Sequence, residues 1–409
     1  MSSIQPTQLA RRITLPLLVL YGLGVTIGAG IYVLIGLTIE EAGIYAPTAF
    51  IVSAIVMGFT AASFIELSGR YPHSAAEAIY VEKSFGWSWL TILTGGSISV
   101  AAIVAAAAIS VGSAGYIQHL IDLPEPLIVS ALILLMGLLA VYGILESVVF
   151  AGILTAIELS GLLAIIGIGL WVHPEVLEQL PDVIPSFNDN SAMIAIFSTV
   201  LIAFFAFIGF DDVVNLVEEV RNPTKVMPIG IVVTLVVVTV LYFLVVAIAV
   251  LVIPNQELIE SKAPISLMFN KLTGLPSFVI TLVAIVATLN GVVIQIITGA
   301  RVLYGMAHQG RAPTFLGRVS PKTQTPIAAT LLITVLTLIS ALFFPIDTLA
   351  TLTTQLILFV FTLVNLGLVI IKLRGEKAKL GTIQVSLVFP ILGFLSCLFL
   401  LIGGWLHSP

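Results

Sequence analysis

Three carboxylates stand where an otherwise apolar chain should find them hard to keep. Asp211 and Asp212 follow the run Phe204-Phe-Ala-Phe-Ile-Gly-Phe210, and Glu158 lies about ten residues into an apolar stretch beginning near Val148, close to mid-bilayer at 1.5 Å per residue. A charge at membrane depth costs at least a few kcal/mol unless it meets partners or water, so two adjacent aspartates argue for an unwound, solvated backbone. Such a break frees carbonyls that can accept from an ammonium. The competing reading is that Asp211 and Asp212 cap the following helix as N-terminal acids, and one of the two is expected to do so. Glu158 shares a helical face with Thr155 and Gly161, so its carboxyl should point into the bundle. An ionised acid there is costly, which suits a proton carrier; a carboxyl that only locks its helix to a neighbour is the structural alternative.

A second stretch, Gly22-Leu-Gly-Val-Thr-Ile-Gly28-Ala-Gly-Ile-Tyr32, is a glycine-rich interruption of another apolar run. Glycines relax a helix and expose backbone amides, and a row of amides opening a half-helix suits a carboxylate. Gly24-x-x-x-Gly28 also fits a helix-packing face. Together the two stretches predict a zwitterion-sized site between two broken helices. Glu66 ends an apolar run beside Arg70 and reads as an ion pair at a gate. The five histidines lie in or near loops without metal-ligand spacing, and the lone Cys397 excludes intrachain disulfides and Cys-ligated zinc. Serines and threonines lack an embedded His or Lys partner, so no enzyme is expected, and no cofactor beyond a coupling proton or sodium ion.

The elements that must position these residues follow from composition. The chain has 409 residues, 59% apolar and 9% charged, with a mean hydropathy of +1.18. Soluble proteins carry about a quarter charged residues, so this is an all-α polytopic membrane protein in the lipid bilayer, with residues 1–409 forming one transmembrane domain. The net charge of −5 and the lack of a basic run exclude nucleic-acid binding. The polar N-terminus, Met1 to Arg12, lacks a cleavage site after it and is not read as a removable signal peptide.

Hydropathy predicts eleven transmembrane helices near 13–38, 44–68, 87–117, 126–143, 148–172, 192–216, 228–253, 276–307, 326–344, 347–372 and 383–406. With the N-terminus cytoplasmic, only Lys262 and Lys271 of the 16 Lys and Arg fall outside, and the C-terminus faces outside. Ser74 to Phe85 is amphipathic and predicts a helix along the cytoplasmic surface. Asn255 to Leu272 predicts a short external helix or cap.

Gly28 and Gly209 occupy matching interruptions in spans one and six, and the third span after each start is unusually long. Spans one to five (13–172) and six to ten (192–372) then correspond in order, with 383–406 as an extra helix. Five is odd, so the second copy must be inverted, which is the pointer to a secondary transporter with its site at the midplane.

On three motifs the chain resembles the amino acid–polyamine–organocation transporters: Gly28-Ala-Gly-Ile-Tyr-Val-Leu-Ile-Gly36; Phe204 to Asp211 continuing to Glu218-Glu-Val-Arg-Asn-Pro223; and Ala300-Arg-Val-Leu-Tyr-Gly-Met-Ala307. It is most similar to the cationic amino acid transporter branch and its bacterial relatives. The resemblance implies a LeuT-like five-plus-five inverted-repeat fold, broken helices 1 and 6, and alternating access to an α-amino acid at the cell membrane. It places the substrate carboxylate on the amides of Ala29 and Gly30, within Thr26-Ile27-Gly28-Ala29-Gly30, and the ammonium on the carbonyls of Thr26, Phe205 and Ile208 near Asp211. Phe205 stands where members carry an aromatic that closes over the substrate. Some members place Lys at the position of Glu158, so the sign of the charge is reversed here. The expected function is secondary active transport of neutral or cationic amino acids by proton-coupled symport or exchange. The alternatives are a non-transporting amino acid sensor with the same fold and a polyamine or organocation exchanger.

Overall fold

The computed structural model describes residues 11, 13–72, 76–143, 148–186, 188–217, 219–378 and 381–407, and of 28–29, 148–151 and 405–407 it describes the backbone only. Helices occupy the apolar ranges: α1 (Leu15–Ala42), α2 (Ala46–Arg70), α3 (Ala76–Phe85), α4 (Ser88–Gln118), α5 (Glu125–Tyr142) and α6 (Val148–Val172). There follow the single turn α7 (Val176–Gln179), α8 (Asn190–Phe205), α9 (Pro223–Val252), α10 (Asn255–Glu260), α11 (Pro264–Thr273), α12 (Phe278–His308), α13 (Ile327–Phe343), α14 (Ile346–Leu373) and α15 (Val388–His407). No strand forms among the described residues. A backbone in lipid must satisfy its polar groups internally, and the helix does so within one segment. Among the described residues seven stretches are long and apolar enough to cross a membrane, with shorter apolar helices at Leu15–Ile27, Asn190–Phe205, Ile327–Phe343 and Val388–Gly404. The protein is an all-helical polytopic membrane protein.

Two apolar cores sit side by side. One is built chiefly from α1, α2, α8, α9 and α14; the other from α4, α5, α12 and α13. Small residues let the second core close: α4 carries the run Ala105 to Ala108, and a Cβ on Gly299 of α12 would come within 3.2 Å of Ala102 of α4.

Three expectations change on inspection of the structure. Helix α1 runs unbroken through the Gly28 motif, where a break was predicted. Its glycines serve close approach instead: a Cβ on Gly30 would overlap Ala206 Cα, one on Gly24 would overlap Thr155 Oγ1, and one on Gly22 would lie 2.7 Å from Thr234 Oγ1. Glycine weakens a helix by only about 1 kcal/mol, less than the cost of freeing unpaired backbone groups in an apolar core. Secondly, α3 is not a surface helix: Ala76, Glu77, Ala78, Tyr80, Val81 and Ser84 are all buried. Ala76 N donates to Asn215 Oδ1 (3.2 Å), and Tyr80 packs edge-on against Phe64 of α2. Ser74, the predicted start of this helix, lies outside the described residues. Thirdly, the 255–272 cap is two helices, α10 and α11, pinned by the Lys271–Glu257 ion pair at 2.5 Å.

Candidate functional site

The second predicted break is present. Helix α8 ends at Phe205, residues 206–210 are turns, and Asp211–Leu216 form a 3-10 helix. Gly209 supplies the φ of +117° that a side chain would resist, and a Cβ there would meet Val25 O at 2.8 Å. Asp211 Oδ1 accepts from Gly209 N at 3.0 Å, a bond back into the turn; both aspartates stand in the first turn of the 3-10 helix, which has no side-chain cap, and Asp212 is half-buried. The break is therefore tight rather than open: Ile208 N donates to Phe205 O (3.2 Å) and Asp212 N to Gly209 O (3.1 Å).

This break lies directly on α1. Tyr242 of α9, wholly buried, donates from one hydroxyl towards both Thr26 O (2.8 Å) and Ala206 O (3.0 Å), tying the two glycine motifs together. Thr26 Oγ1 turns back to Gly22 O (2.8 Å), and Ile27 is buried in the first core. Of the three carbonyls that the resemblance assigns to an ammonium, Thr26 accepts from Tyr242 as well as from the Gly30 amide one turn on in α1, so both its lone pairs are taken, while Phe205 accepts from the Ile208 amide and keeps one. Gly30 lies against Ala206, and with α1 helical there its amide belongs to the helix rather than to an open anion cradle. The side-chain surroundings of Gly28 and Ala29 lie outside the described residues. Phe204 and Phe207 pack in the first core, whereas Phe205 belongs to the second, so its ring crosses the seam between the two. Ile208 packs against both.

Glu158 faces as its helical spacing predicted. The α6 face of Thr155, Glu158 and Gly161 meets Gly24, Tyr32 and Asn290. Tyr32 OH donates to Glu158 O (2.7 Å), Tyr116 OH donates to Tyr32 O, and Asn290 Nδ2 donates to Glu158 Oε1 (2.9 Å). Four helices, α1, α4, α6 and α12, thus meet through one chain of hydrogen bonds at Glu158. Tyr242, Tyr32 and Asn290 were not foreseen from sequence, although a lone Asn deep in an apolar helix was a visible signal.

The Glu66–Arg70 pair forms and is larger than expected. Glu66 Oε1 accepts from Arg70 Nε (2.9 Å) and Nη2 (2.7 Å), while Oε2 meets Lys372 Nζ (2.7 Å) and Val385 N (2.8 Å). Arg70 Nη1 and Lys372 Nζ go on to the carbonyls of Glu376 and Val385. These partners belong to α2, α14 and the connection to α15, none to α1 or to residues 206–210. Near the same end of the bundle Glu77 of α3 is buried, and burial followed by the Asp211 carboxylate pushes its carboxyl up to about 8. Glu218 lies outside the described residues.

Two cavities, of about 640 and 240 Å³, open beside the α10–α11 cap and share Gly115, Ser261 and Lys262 in their walls. Thr26, Phe205 and Glu158 do not line these two cavities.

A polytopic helical bundle with one interrupted helix laid on a glycine face, and a buried carboxyl beside it, has the frame of a membrane permease. The chain belongs to the amino acid permease family, whose model matches residues 14–409. It is 28% identical to a branched-chain amino acid permease of Bacillus subtilis (strain 168), over 95% of this chain and 87% of that one. It is 31% identical to a vacuolar cationic amino acid transporter of Arabidopsis thaliana, over 89% of this chain and 60% of that one, so it spans less than two thirds of the plant protein. A methylthioribose transporter of Bacillus subtilis (strain 168) is 27% identical over 91% of this chain and 83% of its own.

Proposed function

We propose that the protein is a secondary active transporter of neutral or cationic amino acids, working by alternating access with proton-coupled symport or exchange. The observation that carries this reading is the contact of the 206–210 break with the glycine face of α1, bridged by Tyr242. In this reading Thr26, Ile27, Gly28, Ala29, Gly30, Phe205, Ile208 and Asp211 bind the substrate, once α1 loosens at Gly28 to release its amides. Phe205, whose ring crosses between the two cores, closes over it. Glu158 couples transport to a proton or a sodium ion. Glu66 and Arg70 hold the inner end closed.

Eleven spans in a five-plus-five inverted repeat complete the reading, with repeats over 13–172 and 192–372. It is supported by the equal lengths of α4 and α12, 31 residues each, which stand third in the two sets. In this reading the membrane is that of the cell, and the N-terminus is cytoplasmic and the C-terminus outside, an orientation supported by the distribution of Lys and Arg. The branched-chain and cationic names of the relatives favour neutral and basic substrates, and the methylthioribose relative adds that compound to the screen.

The buried carboxyls near the break are Asp211, Glu77 and Glu158, and an anionic side chain would enter among acids. Uptake of labelled alanine or arginine into proteoliposomes, competed by each amino acid in turn, tests the reading. Neutral and cationic amino acids should compete and glutamate and aspartate should not. Ligand binding without counterflow would make the protein a sensor, and stronger competition by the acidic amino acids would overturn the substrate class.

A further inference from the structure

Glu158 and Asn290 are 132 residues apart in sequence and meet in the centre of the bundle at 0% and 4% exposure. Oε1 of the carboxyl takes the amide hydrogen bond; Oε2 has no hydrogen-bond partner among the described residues. Four helices, α1, α9, α11 and α12, pack on α6. From α1, Tyr32 OH is committed to the backbone carbonyl of Glu158. From α9, Tyr242 OH is committed to Thr26 and Ala206. From α11, Lys271 is paired with Glu257, and on α12 Arg301 lies about three turns beyond Asn290. No ion pair to Glu158 forms among the described residues, so a single amide is the only support its carboxyl has.

An amide is an uncharged side chain that can hydrogen-bond either state of a carboxyl. Nδ2 donates to a carboxylate, and after rotation of the amide its Oδ1 accepts from a carboxylic O–H. Leucine offers neither bond, and aspartate would bring a second charge.

We propose that Asn290 is the positioning residue for proton exchange at Glu158: its carboxamide holds Oε1, and Oε2 is the atom that takes up and releases the proton. The step is the carboxylate plus one proton, taken from water on one side of the membrane, giving the carboxylic acid, which returns that proton to water on the other side. The inference rests on the proposed coupling role of Glu158.

The test is the pH profile of amino acid uptake in proteoliposomes, with substrate affinity measured alongside. Asn290→Leu removes the donor that favours the carboxylate, so the midpoint of the profile should move up by about one pH unit with substrate affinity unchanged. Asn290→Gln, which retains an amide, should restore part of the shift. In a Glu158→Gln background Asn290→Leu should move nothing. A lower uptake rate with an unmoved midpoint would make Asn290 a packing residue and overturn the proposal. If Glu158→Gln alone leaves the profile as it was, the coupling role of Glu158 is what has failed. Should Asn290→Leu not accumulate folded, Asn290→Ser carries the same expectation, because serine is too short to reach Oε1.

Discussion

Glu66 and Glu158 are both wholly buried on apolar helices, and their surroundings treat them oppositely. Glu66 has two cations and a backbone amide distributed over its two oxygens, so neither is left over. A carboxylate so held binds α2 to α14 and to the chain leading into α15. Among the described residues Glu158 has one neutral amide on one oxygen and no hydrogen-bond partner on the other. A fixed charge there would be unsupported, so this is the carboxyl whose state can change. Burial alone does not mark a working acid in a membrane; incomplete satisfaction does.

The largest expected effect breaks the lock. Glu66→Ala leaves Arg70, Lys372 and the Val385 amide around a missing anion and should cost about 3–5 kcal/mol, seen as a lowered melting temperature in detergent. A melting temperature equal to the parent's would place Glu66 in the same class as Glu158. Next comes Gly30→Ala. A Cβ at this position would overlap both the backbone and the Cβ of Ala206, so even alanine should abolish substrate binding measured by thermal shift, as valine would. Binding at the parent's level would mean that the α1–break contact does not shape the site.

Glu158→Gln should change the unfolding free energy by no more than about 1 kcal/mol, seen as a melting temperature near the parent's, since a neutral amide replaces a carboxyl that lacks a charged partner among the described residues. Its effect belongs to function: substrate binding is retained while the pH dependence of uptake flattens, or net transport falls to exchange. An unchanged profile, with and without sodium, would make it a structural carboxyl like Glu66. The smallest effect is at Glu77, which is raised from 4.5 to about 8 in the folded state. The folded protein therefore holds this proton more tightly than the unfolded chain, and the docking of α3 should weaken as pH rises from about 4.5 to 8. Amide hydrogen exchange in α3, corrected for intrinsic rate, reads this out. Glu77→Gln should remove the dependence and leave α3 protected throughout; loss of protection on lowering the pH would reverse the sign.

Composition and periodicity determined the class of protein and the helical ranges, because apolar length decides what can lie in a bilayer. They also located the break at 206–210, where glycine precedes two acids that lipid will not take, and turned the Thr155–Glu158–Gly161 face inwards. What lies opposite each face was decided only by the tertiary structure. Periodicity says that a face is buried but does not name the helix that covers it. Asn290 reaches Glu158, Lys372 reaches Glu66 and Tyr242 reaches Thr26 across long stretches of chain that no local pattern links. The same limit explains α1 and α3: a run of glycines reads equally as a flexible hinge or as a contact face, and an amphipathic decamer as a surface or a buried helix. Ala206 set against Gly30, and Asn215 set against the first amide of α3, made the choice, because close packing admits only the neighbour that fits.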